Sequence, residues 1–108
     1  MLNRLPVGQA LAWSEALTIS PAGPEIAACV WEPTERAAVL GLSQNAEREL
    51  DLERLTAAGI PVLRRASGGG AVLLSPGVLC AEVIAPPEAL GAESGIHGAF
   101  RVLLSPIL

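Results

Sequence analysis

The sequence predicts one small domain of mixed helices and strands, and three observations carry that expectation. The length of 108 residues suits a single domain, and a chain of this size buries roughly 60–70% of its unfolded surface. Apolar residues recur at helical spacing over 9–19 and from residue 95 onward, with short apolar runs suited to strands between them. Gly and Pro cluster at the boundaries of these segments. The core must be aliphatic: the chain is 51% hydrophobic, but Trp13, Trp31 and Phe100 are its only aromatic residues.

The first helix is expected over 9–19, where Ala10, Trp13 and Leu17 interleave with Leu11, Glu15 and Thr18. Ser20-Pro21-Ala22-Gly23-Pro24 breaks it. A buried strand over 26–31 and a second over 37–42 flank a turn at 32–36, which predicts a hairpin. A compact helix follows over 51–59, with Asp51 placed to cap it, Gly59 to end it and Pro61 to forbid continuation. Asn45 is a candidate cap for an earlier turn around Glu47 and Glu49. The next strand covers 60–65 and sets Arg64 and Arg65 on opposite faces, so only one of them can serve the loop beyond. Strands over 71–74 and 78–85, joined by Ser75-Pro76-Gly77, predict a second hairpin. Ile96, Phe100, Leu103 and Leu104 mark a last amphipathic helix. Ser105-Pro106 is a helix-start signal close to the C-terminus, from which we expect the natural domain to continue beyond Leu108.

Charge and composition narrow the function classes. Seven arginines, no lysine and eleven carboxylates give a net charge of −4. No basic stripe with interleaved aromatics is present, which argues against nucleic-acid binding. The longest charge-free stretch, 66–81, holds Pro76 and three glycines and is shorter than the ~20 residues of a spanning helix. Pro6, Gly8 and Gln9 interrupt any leader-like apolar segment, so a cytoplasmic protein without a membrane partner is expected. Cys29 and Cys80 have no CxxC spacing and sit in apolar runs, as buried free thiols would.

The stretch Arg64-Arg65-Ala66-Ser67-Gly68-Gly69-Gly70-Ala71-Val72 carries the most chemistry. Three successive glycines allow positive φ and close approach of a ligand to bare backbone. Successive N–H groups there can form an anion nest, and an adjacent guanidinium offers a fork of donors to phosphate or carboxylate. The same residues can equally form a bulged turn; Arg65 next door favours the cradle. The run lacks the GK[ST] ending of a P-loop and the spacing and following helix of a dinucleotide fingerprint. His97, the only histidine, reads as a surface or capping residue, Ser67 as a loop hydroxyl, Cys80 as packing, and Glu15 and Glu82 as lone carboxylates.

Gly41-Leu42-Ser43-Gln44-Asn45, then Gly59-Ile60-Pro61-Val62, then the Arg64–Val72 string follow the order and spacing of lipoate–protein ligases. The chain resembles the N-terminal part of a biotin/lipoate protein ligase catalytic domain, most closely over 31–83. The resemblance implies an α+β fold, a mixed or antiparallel sheet flanked by helices, similar to class II aminoacyl-tRNA synthetases and biotin synthetases but incomplete here. It reads residues 1–108 as a single, truncated domain. It implies ATP and Mg²⁺, lipoate or octanoate as substrate, and transfer of the acyl group from an acyl-adenylate to a lysine. Lipoyl carrier domains, or an H-type protein of glycine cleavage, would accept it. Arg65 would neutralise the adenylate phosphate; Gly69, Gly70, Ala71, Val72 and Leu73 would floor the ligand channel, and Gly68 would permit the approach. Gln44 and Asn45 would hold the loop, with Ser67 beside them. Leu73, Leu74, Val78 and Leu79 would line the acyl slot.

Two departures accompany the resemblance. Where many members carry an aromatic, then His-Asp and later Asn, this chain has Leu73, Leu74, Ser75 and Val78. The family's catalytic lysine, and the nucleophilic cysteine of its octanoyltransferase relatives, lie downstream of the matched part, so no catalytic and no metal-binding residue is assigned. The expectation is a chain unable to complete adenylation or transfer alone, acting as a truncated ligase or with a second polypeptide. An octanoyltransferase of the same fold and a non-catalytic acyl- or partner-binding remnant are the alternatives. An uncovered edge strand and last helix would favour self-association.

Overall fold

The computed structural model describes residues 3–19 and 27–84. Its elements run β1 (Asn3–Leu5), α1 (Val7–Ile19), β2 (Ala27–Pro33), β3 (Ala37–Leu40), α2 (Ala46–Glu49), α3 (Leu52–Ala57), β4 (Val62–Arg64), β5 (Val72–Leu74) and β6 (Cys80–Ile84). They form two three-stranded sheets, β1-β2-β6 and β4-β3-β5. Each has a central strand with one parallel and one antiparallel neighbour: β2 lies between parallel β1 and antiparallel β6, and β3 between parallel β4 and antiparallel β5.

Both expected hairpins are therefore wrong. The turn after Pro33 carries the chain from one sheet to the other, and β2 and β3 do not pair. Ser75-Pro76-Gly77 does form the expected tight turn, with the Val78 amide donating to the Ser75 carbonyl at 3.1 Å and Gly77 at φ +95°. That turn too leads between sheets, because β5 pairs with β3 and β6 with β2. Glu32 fixes it from the other sheet by accepting the Gly77 amide at 2.7 Å.

Boundaries shift for identifiable reasons. β2 runs through Glu32 and Pro33, which were expected in a turn, because β1 offers them a parallel partner. No expectation covered β1. α1 begins at Val7 rather than residue 9: the Val7 amide donates to Glu35 Oε1 at 2.7 Å, a cap supplied from 28 residues away. A carboxylate at a helix N-terminus also opposes the positive end of the helix dipole. Thr34 donates to the other oxygen of Glu35 at 2.6 Å, and this bond, with the Val7 amide, holds the Glu35 carboxyl below its ordinary pKa. α3 starts as expected, with Asp51 Oδ1 accepting the Arg54 amide at 3.1 Å. Asn45 likewise caps α2, accepting from the amides of Glu47 and Arg48.

The core joins both sheets to α1. Val7, Ala10, Trp31, Ala37 and Val39 are buried together, with Leu5, Leu11, Leu63 and Leu74 packed against them. Alternation on β3 sends Ala37 and Val39 into this core, while Ala38 and Leu40 are buried on the opposite face. The Trp31 indole nitrogen has no hydrogen-bond partner among the described residues. Cys29 and Cys80 are free thiols but only half-buried, against the expectation of burial; burial, with Glu82 adding to it, pushes the Cys80 thiol above its ordinary pKa. Val30, Leu42, Val72, Leu73 and Leu79 are exposed. The last helix, His97, Phe100 and Ser105-Pro106 lie outside the described residues.

Candidate functional site

β3 and β4 are parallel, so their C-terminal ends lie side by side, with Leu40 in register with Arg64. The two segments leaving those ends, 41–45 and 65–70, therefore meet. The Arg65 amide donates to the Leu40 carbonyl at 3.0 Å, and the Leu42 amide to the Ser67 carbonyl at 2.9 Å. Gly41 faces Gly69 so closely that a Cβ at 41 would overlap the Gly69 carbonyl. Sequence alternation placed the two arginines on opposite faces, and they serve different loops.

Arg65 curls into the glycine bend. Its Nε and Nη2 donate to the Gly68 carbonyl at 3.2 and 2.7 Å, and Nη2 also reaches the Gly70 carbonyl at 2.8 Å. One edge of the guanidinium thus staples the bend. Nη1 has no protein partner among the described residues, which leaves an edge for an anion. Only one of the three glycines is demanded by this conformation. Gly69 sits at φ +102°, and a Cβ there would lie 2.8 Å from Arg65 Nη2. At Gly68 and Gly70 a Cβ would meet nothing within 4 Å.

Arg64 turns to the other loop. Its Nη1 lies 2.9 Å from the Gly41 carbonyl, 3.2 Å from that of Leu42 and 2.6 Å from that of Gln44. Gln44 closes the same turn from within, its Oε1 accepting the Gly41 amide at 2.9 Å. No role was expected for Arg64; its alternation with Arg65 was the one available signal.

A cleft of about 90 Å³ runs between α1, β6 and the start of the bend, lined by Leu11, Ser14, Glu15, Arg65, Ser67 and Glu82 among others. Glu15 and Glu82, read from sequence as lone carboxylates, share this space. The Ser14 hydroxyl lies 2.5 Å from Glu82 Oε2 and 3.1 Å from the Ala10 carbonyl, and its single proton serves the carboxylate. These carboxylates make the inner end of the cleft unfavourable for phosphate. On the opposite face of the sheet, Leu50, Leu55, Ala71, Val72 and Leu73, together with the charged Glu49, Asp51 and Arg54, line a shallow groove of about 390 Å³ beside α3. Val72 and Leu73 are 47% and 59% exposed, so apolar surface runs on directly from the bend.

Among the described residues no three His, Cys, Asp or Glu side chains come together as metal ligands would. No helix among them is long and apolar enough to cross a membrane.

Residues 6–108 match the family model of the lipoyl protein ligase A/B catalytic domain. The chain belongs to that family. It is 36% identical over 77 residues to the octanoyltransferase LipM of Exiguobacterium sibiricum, covering 71% of this chain and 27% of that protein. A solved lipoate-protein ligase A bound with ATP superposes with a TM-score of 0.76 at 29% identity, covering 94% of this chain and 40% of that one. A bi-partite lipoate protein ligase from Thermoplasma acidophilum, described together with its E2 lipoyl domain, superposes with a TM-score of 0.66 at 32% identity, covering 76% of this chain and 33% of that one. The family member described here thus spans about a quarter of the curated relative and between a third and two-fifths of the solved ones. Its α+β fold is that of the lipoate ligases, as the motifs implied.

Proposed function

We propose that these residues form the acyl-adenylate grip of a lipoate–protein ligase catalytic domain of which residues 1–108 are one part. In that reaction the carboxylate of lipoate or octanoate attacks the α-phosphate of ATP and pyrophosphate leaves. A lysine amine on a lipoyl carrier domain, or on an H-type protein of glycine cleavage, then takes the acyl group and AMP departs. The observation that supports this reading best is the divided guanidinium of Arg65, which fixes the glycine bend with one edge and leaves Nη1 for an anion. A charge held in place before the reaction stabilises developing phosphate charge more than one that must reorganise. Gly69 and Gly70 add backbone donors, and Gly68 keeps the approach bare. Ala71, Val72 and Leu73 continue as the floor, where the exposed Val72 and Leu73 offer apolar surface to the acyl tail. Gln44 and Asn45 shape the neighbouring loop and Ser67 ties the two loops through its carbonyl.

Magnesium would accompany the ATP phosphates, and no step assigned to these residues uses the metal. Two free thiols suit a reducing cytoplasm. The chain's short span within its relatives agrees with a second segment or polypeptide supplying the lysine-bearing part of the domain. A second reading, an octanoyltransferase taking octanoate from one carrier to another without ATP, draws on the likeness to LipM.

Calorimetric titration with lipoyl-sulfamoyl-adenosine, a hydrolysis-resistant mimic of lipoyl-adenylate, tests the proposal. Binding by the unaltered chain, weakened by Gly68→Ala or Gly70→Ala without loss of stability, is the expected result. Those two substitutions are tolerated by the protein's own packing, so only a ligand would feel them. Absence of binding by the unaltered chain overturns the reading. Binding of an octanoyl carrier protein but not of the adenylate mimic replaces it with the second.

A further inference from the structure

We propose that Arg64 is a positioning residue of the glycine bend, acting through the 41–44 turn rather than on any ligand. The proposal rests on the ligase reading only for its effect on binding; its structural half stands on the geometry alone. The 41–44 turn brings three carbonyl oxygens to one nitrogen, at 2.6, 2.9 and 3.2 Å from Arg64 Nη1. That nitrogen has two protons, so the three acceptors share them. Convergent carbonyl dipoles repel one another, and a cation at their focus turns that repulsion into charge-assisted hydrogen bonds. Among the described residues Arg64 forms no ion pair, so its guanidinium is committed to this turn.

The turn is in turn the abutment of the bend. The Leu42 amide holds the Ser67 carbonyl at 2.9 Å, and the bare Cα of Gly41 rests against the Gly69 carbonyl. Ser67 and Gly69 flank Gly68, whose carbonyl Arg65 holds at 2.7 Å. A chain of direct contacts thus runs from Arg64 through Gly41 and Leu42 to the residues that orient Arg65. Without Arg64 the turn opens, the Leu42–Ser67 bond loosens, and the bend loses the wall against which Arg65 sets it. Lysine in its place carries the charge but not the planar fork, so it restores part of the effect.

Two measurements on Arg64→Gln and Arg64→Lys decide the matter. Amide hydrogen exchange compares the Leu42 amide, which joins the two loops, with the Ile60 amide, which bonds the Leu55 carbonyl at 2.9 Å away from them. Arg64→Gln is expected to speed exchange at Leu42 roughly tenfold, about the worth of one net hydrogen bond, and to leave Ile60 unchanged. Arg64→Lys falls between. Equal acceleration at both amides in either variant, or none at Leu42, overturns the proposal; if the Gln variant does not fold, the Lys variant alone carries this test. Titration with lipoyl-sulfamoyl-adenosine supplies the second measurement, with affinity expected to fall roughly tenfold in Arg64→Gln and to recover partly in Arg64→Lys. Should affinity hold while Leu42 exchange rises, Arg64 does not position the grip. Should the unaltered chain fail to bind the mimic, the ligase reading falls, and the exchange comparison still decides what Arg64 does.

Discussion

The two sheets are built to one pattern and put it to different uses. In each, a parallel pair ends in register, Leu5 beside Pro33 in one and Leu40 beside Arg64 in the other. In each, the segments leaving those ends are joined at once by a backbone bond, Thr34 to Leu5 and Arg65 to Leu40, both at 3.0 Å. Past that point the residues differ. After Leu5 and Pro33 come a helix and a carboxylate, and Glu35 closes the helix N-terminus. After Leu40 and Arg64 come glycines and a guanidinium, and the end stays open, with its carbonyls gathered inward by two arginines. Parallel pairing brings distant segments together, and the residues that follow decide whether the junction is sealed by a carboxylate or left open between two arginines.

Four substitutions or measurements break or sharpen this contrast. The largest effect falls at the open end: Arg65→Ala is expected to weaken binding of the adenylate mimic roughly 100-fold, or about 2.7 kcal/mol. An unchanged calorimetric affinity would make the two ends equivalent. Next, Gly41→Ala drives a methyl into the Gly69 carbonyl and should cost about 1–3 kcal/mol in denaturant unfolding, because backbone rather than a flexible side chain must yield. At the sealed end, Glu35→Ala removes the cap of α1 and should cost about 1 kcal/mol or less, since solvent reaches the carboxylate, with no change in binding. Its pH dependence has a definite sign. Because the folded-state pKa is lowered, this contribution is complete above the ordinary glutamate pKa of 4.5 and fades as pH falls through the lower folded value. Acid titration of the unfolding midpoint should show that loss in the unaltered chain and not in Glu35→Ala. The smallest effect concerns Cys80, whose raised pKa predicts slower alkylation near neutral pH than that of an unstructured cysteine.

Local signals in the sequence located local structure. Asp51 and Asn45 announced their helices by the one property a cap needs, a short side-chain acceptor before an amide-rich turn. Ser75-Pro76-Gly77 announced a reversal, and the reversal is there. Partner choice was invisible because a tight turn says that the chain bends, not which strand it next meets; both false hairpins come from that gap. β1 escaped notice because three residues, one of them Arg4, carry no periodicity of their own, and their pairing with β2 is non-local. At the site, the adjacency of Arg65 and the glycine run was legible, and the two do meet, while the sharing of one cleft by Glu15, Glu82 and Arg65 depends on how α1 and β6 pack. Arg64 shows the same divide: alternation separated it from Arg65, but only the fold showed it what to hold.

The buried indole of Trp31 turns the core into its own reporter. Buried where both sheets meet α1, this chromophore is expected to emit at shorter wavelength than Trp13, which is 39% exposed on the helix. Intrinsic fluorescence should therefore carry two separable colours, one that shifts when the sheets part and one that follows the surface of the first helix.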